Sequence, residues 1–230
     1  MELRLAGFRP VSCSDGLPGE VVAVVWLQGC PLRCPWCHNP ETRDESGGKE
    51  VDVNDVVEAL SRYSPYLDVV VISGGEPLAH DPEELMELAE GVEDMGLDPV
   101  LDTSGYPPER LAEVVGTFTR VALDLKAELR EEAYLKATGG VMGAEDLLAA
   151  AEHARTVTLE LRITTHPLLG DPKRVAEDAE TLEPDVVVVQ PYTGRGKGPD
   201  PEELGRELSR KGLSVYVRPT PGEDAGAVRG

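Results

Sequence analysis

From about residue 20 onward, short valine-rich runs alternate with amphipathic stretches, and few folds accommodate that alternation. The apolar runs are 21–27, 69–72, 99–101, 121–125, 157–164, 186–189 and 213–217. Short, near-continuous apolar runs read as strands buried on both faces, the habit of parallel sheets. Helix-period segments lie between them. Val53, Val56, Val57 and Leu60 recur at i, i+3, i+4 and i+7, which places them on one helical face. Asp81 before Pro82, with Gly96 beyond, reads as a capped helix and its stop. Further helices are expected at 108–115, 144–154, 171–182 and 201–211.

That order makes the chain α/β, built of βα units with right-handed crossovers. The expected architecture is a partial (β/α)6-type TIM barrel with an N-terminal extension. An open doubly wound sheet is the structural alternative. Residues 1–19 would form the extension, 20–221 the barrel and 222–230 a flexible tail. A formal net charge of −21 argues against nucleic acid or anionic lipid as a partner. The apolar run at 21–27 is too short to cross a bilayer, and the amino-terminal residues lack the basic-then-apolar pattern of a signal peptide. The expectation is a cytoplasmic protein with no membrane partner.

Three of the four cysteines, Cys30, Cys34 and Cys37, fall within eight residues, directly after a strand. Such a grouping points to metal or redox chemistry rather than a disulfide scaffold. Thiolates are the usual ligands of iron–sulfur clusters, and one short loop with these spacings can wrap a single cluster. Three ligands would leave one of four irons open. Structural zinc, with Cys13 or His38 as the fourth ligand, is the competing assignment. Cys13 otherwise reads as a lone structural thiol.

Other polar groups gather at strand ends. The second strand ends in Ser73-Gly74-Gly75-Glu76-Pro77, the third in Asp102-Thr103-Ser104-Gly105 and the fourth in Asp124-Leu125-Lys126. Arg162 and Thr164 lie on the fifth and Gln190 ends the sixth. An arginine in a valine-rich strand needs a polar interior to face. His166 reads as a loop residue. Every candidate falls at or just beyond the carboxyl end of a parallel strand, where βα barrels carry their active sites.

On these residues the sequence resembles the radical S-adenosylmethionine superfamily, whose signature is the Cys-x3-Cys-x-aromatic-Cys spacing of Cys30, Cys34, Trp36 and Cys37. The resemblance implies a 4Fe-4S cluster on the three cysteines and S-adenosyl-L-methionine at the open iron. Reductive cleavage of that cofactor to a 5′-deoxyadenosyl radical is the implied chemistry. It also implies that Trp36 positions the adenine and that Gly74, Gly75 and Glu76 meet the cofactor's amino group.

Within the superfamily the sequence is most similar to activases of glycyl radical enzymes, on residues 29–41, 47–51, 102–105 and 124–126. The turn Asp15-Gly16-Leu17-Pro18-Gly19 resembles theirs with Leu17 inserted. This likeness implies Asp102, Thr103, Ser104 and Asp124 around the methionine carboxylate, with Na+ or K+ at Asp102, Thr103 and Asp124. Lys126 would support that carboxylate, with Arg162 and Gln190 in the same site. The implied partner is a glycyl radical enzyme under anaerobic conditions, with a flavodoxin- or ferredoxin-type reductant. The form of the cysteine loop is most like the type that activates anaerobic ribonucleotide reductase, with the pyruvate formate-lyase type next. Arg195 and Lys197 would assist docking. A radical enzyme acting on a small molecule, of the deazapurine-forming type, is the alternative, and a non-catalytic iron–sulfur electron carrier the third reading. No cysteine follows Cys37, so no second cysteine-bound cluster is expected.

Overall fold

The computed structural model describes residues 2–220; the expected tail at 222–230 lies outside them. One nine-stranded sheet runs in the order β3-β1-β2-β4-β5-β6-β7-β8-β9. The strands are β1 Glu2–Ser12, β2 Val22–Leu27, β3 Lys49–Asp52, β4 Val69–Gly74, β5 Asp98–Thr103, β6 Arg120–Asp124, β7 Thr158–Thr164, β8 Val186–Gln190 and β9 Val215–Val217. From β2 through β9, skipping β3, every neighbouring pair is parallel. The helices are α1 Val53–Ser61, α2 Pro82–Glu93, α3 Pro108–Val114, α4 Glu131–Thr138, α5 Ala144–Ala154, α6 Pro172–Thr181 and α7 Pro201–Arg210. Among the described residues, no helix is long and apolar enough to cross a membrane.

Each expected apolar run forms a strand. Aspartate followed by proline starts three helices: Asp81, Asp171 and Asp200 accept backbone N–H bonds from the first turns of α2, α6 and α7. Such caps satisfy donors that a helix start leaves orphaned.

Side chains alternate across the sheet and give it two different faces. Ala23, Val25, Leu27, Ile72, Leu123 and Leu161 belong to the large core shared with the helices. Val22, Val24, Val69, Val71, Val100 and Ala122 form a separate apolar cluster with Trp26 against it, on the opposite, concave face. Register carries that concave face upward into Ser73, Asp102, Asp124, Arg162 and Gln190 near the carboxyl ends of the strands.

The first strand is the expected extension, antiparallel to β2. Its outer edge carries β3, through the register Leu3↔Val51 and Leu5↔Lys49. Neither β3 nor α4 was expected from the sequence. A four-residue edge strand of Lys, Glu, Val and Asp lacks an apolar signal, and α4 starts without a side-chain cap.

Candidate active site

Two glycines fasten the cysteine loop to the sheet. Gly75 N–H donates to Leu27 O and Glu76 N–H to Gly29 O, each at 2.8 Å. Gly74 has φ +126, and a Cβ there would collide with the Leu27 backbone; one on Gly75 would collide with Gly29 O. Close approach of two backbones is what glycine permits here. The glycine pair was expected to admit the cofactor; its demonstrated contact is with the cysteine loop.

Across that junction, Gly29 N–H reaches Thr42 O and Arg33 N–H reaches Thr138 O, so α4 braces the loop. Trp36 Nε1 donates to Ala137 O at 3.1 Å. The loop thereby presents Cys30, Cys34 and Cys37 to one cavity of about 330 Å³, within the range of small-molecule sites.

The same cavity is lined by Trp36, Gly74, Gly75, Glu76, Asp102, Thr103, Ser104, Asp124, Lys126, Arg162, Thr164 and Gln190. Every site residue expected from sequence therefore meets there. Cys13 is exposed and absent from the lining, as are Arg195 and Lys197.

Glu76 carries a role different from the expected one. It is buried, and its carboxylate accepts from Leu78 N–H, Ser104 N–H, Ser104 Oγ and Thr103 Oγ1. That set ties the end of β4 to the end of β5 and leaves little capacity for an ammonium. Burial raises the Glu76 pKa although all four bonds work the other way.

Cations of the chain itself occupy the next carboxylates. Asp124 Oδ2 accepts from Lys126 Nζ at 2.7 Å. Asp102 Oδ2 accepts from Arg162 Nη1 and Ser73 Oγ, both at 2.8 Å. Burial opposes charge on Lys126, but Asp124 and the Cys34 sulfur outweigh it and its pKa is raised.

Arg162 is one rung of a longer charge ladder through the concave interior. Glu20 takes Arg120 bidentately at 2.7 and 2.8 Å. Arg120 Nε stands 3.2 Å from Glu160 Oε2, an ion pair outside hydrogen-bonding geometry. Glu160 Oε1 takes Arg162 Nε at 2.7 Å. Arg162 Nη2 ends on Asp15 O, which holds the 13–19 turn against the barrel.

His166 is no bystander. It is fully buried, its Nε2 pairs with Lys126 O at 2.8 Å, and Leu168 N–H donates to its Nδ1. Those partners place the proton on Nε2. Its ring stacks on Trp36. It does lie in the loop after β7, as the sequence suggests, and no local pattern signals its burial there. Arg218, just past β9, also lines the cavity and was not foreseen.

The donor set fits an iron–sulfur cluster. Three thiols share one wall, and burial pushes the Cys30 thiol up to about 12, with Glu76 adding to the effect. Thiolates so placed require a strongly positive partner, which ligated metal supplies. Among the described residues, no trio of His, Cys, Asp or Glu side chains converges on a single metal ion.

A family model described as the Radical SAM superfamily matches residues 24–184. The pyruvate formate-lyase-activating enzyme of Clostridium pasteurianum is 35% identical over 175 residues, covering 74% of this chain and 71% of that one. A 7-carboxy-7-deazaguanine synthase of Hyperthermus butylicus is 42% identical over 101 residues, 44% of this chain and 42% of the relative. The crystal structure of QueE from Escherichia coli superposes with a TM-score of 0.61 at 19% identity, covering 94% of both chains.

Proposed function

From the premise that this chain belongs to the radical SAM superfamily, we propose that it is an activating enzyme that generates a glycyl radical on a partner protein. The observation that carries this reading is the single cavity in which three cysteines meet Trp36, the Gly74-Gly75 junction and the strand-end residues Asp102, Asp124 and Lys126. The extended similarity to a pyruvate formate-lyase-activating enzyme supports the choice of partner class.

Bound in this cavity, the 4Fe-4S cluster and S-adenosyl-L-methionine supply one-electron cleavage of a sulfonium bond and hydrogen abstraction from the substrate. Cys30, Cys34 and Cys37 would hold the cluster. The ammonium of Lys126, kept charged by Asp124, would hold the cofactor's carboxylate. Trp36, locked through its indole N–H and by His166, would set the adenine's plane. The backbone carbonyls of Gly74 and Gly75 would accept from its amino group. The free oxygens of Asp102 and Asp124 would take Na+ or K+; the Thr103 hydroxyl is committed to Glu76. The valine floor beneath excludes water from the reacting atoms. A cytoplasmic flavodoxin- or ferredoxin-type protein would deliver the electron.

The test is anaerobic incubation of reduced enzyme and cofactor with pyruvate formate-lyase, and separately with anaerobic ribonucleotide reductase. A glycyl doublet in the electron paramagnetic resonance spectrum, with deuterium passing from Cα-labelled glycine into 5′-deoxyadenosine, is expected for one of them. Neither partner acquiring the radical would reject the reading. The 101-residue similarity to a deazaguanine synthase favours a second reading, a small-molecule substrate. Cofactor cleavage driven by a small molecule rather than by protein would support it.

A further inference from the structure

The cavity is polarised. Its acceptor half lies at the ends of β4, β5 and β6, where Glu76, Asp102 and Asp124 stand. Its other half lies at the ends of β7, β8 and β9, where Thr164, Gln190 and Arg218 offer donors. Thr164 pairs with Gln190 in register, and Arg218 N–H bonds to Val189 O, continuing the β8–β9 ladder by one residue. Thr164, Gln190 and Arg218 thus form a row on three adjacent strands, all lining the cavity.

Among the described residues, no carboxylate pairs directly with this row. A guanidinium has five N–H donors. Arg218 uses Nη1 on Gln190 Oε1 at 3.1 Å and Nη2 on Asp15 O and Gly16 O at 3.0 and 3.2 Å. All three acceptors are neutral, and its Nε is buried without one. The carboxylates near enough to act on it are already engaged, Glu160 and Asp102 with Arg162 and Asp15 with Arg9. Among the described residues, the Gln190 amide nitrogen and the Thr164 hydroxyl have no hydrogen-bond partner. Arg162 differs from Arg218 in this respect, because two carboxylates neutralise it. A half-buried guanidinium without a carboxylate is costly unless a ligand brings one.

We propose that Thr164, Gln190 and Arg218 form a substrate seat for a carboxylate carried close to the hydrogen that is abstracted. This rests on the radical-enzyme reading of the cavity and names the substrate chemistry at its far end. Arg218 supplies the charge and a planar fork, while Gln190 and Thr164 supply neutral donors beside it. The carboxylate can belong to an acidic side chain near the target glycine or to a small carboxylated molecule.

The experiment uses the cluster-loaded, S-adenosylmethionine-bound protein and isothermal titration. One arm compares two capped pentapeptides with a central glycine, differing only in Asp or Asn two residues before it. The other compares N-acetylglycine with N-acetylglycinamide. In at least one arm the acid is expected to bind about tenfold tighter than its amide, and the responding arm identifies the source. Arg218→Gln should bring that ratio to about one, while Arg218→Lys keeps a severalfold preference and so separates charge recognition from loss of fold. Equal binding of acid and amide in both arms overturns the proposal, as does a preference that survives Arg218→Gln. Charge-neutral changes at Glu223 and Asp224 should leave the ratio untouched; a shift there would assign the seat to the chain's own carboxylates. Failure of radical transfer to both partner proteins, with an intact Arg218-dependent preference for N-acetylglycine, would sink the activase reading and leave the seat standing.

Discussion

His166 lies face to face on Trp36, with ring centroids 3.8 Å apart and planes 8° from parallel. Burial pushes the imidazole down to about 4 from an ordinary 6.5, so it stays neutral at physiological pH. Between those values the unfolded chain holds the extra proton. Stability therefore rises with pH through this window and is lost as pH falls from about 6.5 towards about 4. The contribution is on the order of 3 kcal/mol at most. Urea unfolding of the metal-free protein across the window should show a slope that His166→Gln reduces by about one proton; an unchanged slope would place the histidine's titration elsewhere.

Glu76→Gln should destabilise the metal-free protein by about 2–4 kcal/mol. The amide's NH2 would replace one carboxylate oxygen and so face either Leu78 N–H and the Thr103 hydroxyl or Ser104 N–H and the Ser104 hydroxyl, all of which now donate. Denaturant midpoints measure this. A loss below about 0.5 kcal/mol would mean that the β4–β5 junction does not depend on the charge.

Alanine at Cys30, Cys34 or Cys37 should abolish the cofactor-bound cluster signal, since all three line the cavity. Cys13 is exposed outside it, so Cys13→Ala should retain full iron and acid-labile sulfide. Loss of the cluster in Cys13→Ala is the outcome that would refute the ligand assignment.

A net charge of −21 repels itself most at low salt. Screening shortens from about 10 Å at 0.1 M to about 3 Å at 1 M. The melting temperature should climb with potassium chloride over this range, and a flat or falling profile would show that the acidic surface is not destabilising.

Much of this architecture is legible in sequence, for reasons that can be named. Short valine runs such as those of β4 and β8 signal burial on both faces, and Asp-Pro pairs at 81–82, 171–172 and 200–201 mark helix starts. The cavity followed because strand ends are identifiable one by one. Contacts across the chain were not readable in this way. The commitment of Glu76 to β5, the Trp36–His166 stack and the placing of Arg218 depend on partners 27 to 130 residues away, or on a neighbouring strand's register. Local patterning carries no signal for such pairings.

The ladder Glu20–Arg120–Glu160–Arg162–Asp102 constrains how this sequence can drift. Its rungs alternate in sign, and Arg120 is the one rung that answers Glu20, so a neutral residue at position 120 leaves the Glu20 carboxylate without its cation. Arg120→Gln alone should cost about 3–5 kcal/mol, whereas adding Glu20→Gln should bring the total well below the sum of the two single changes. A thermodynamic cycle over the two positions would reveal that coupling. The interior can then change cheaply only two steps at once, and a lineage that alters one rung becomes dependent on its compensating partner.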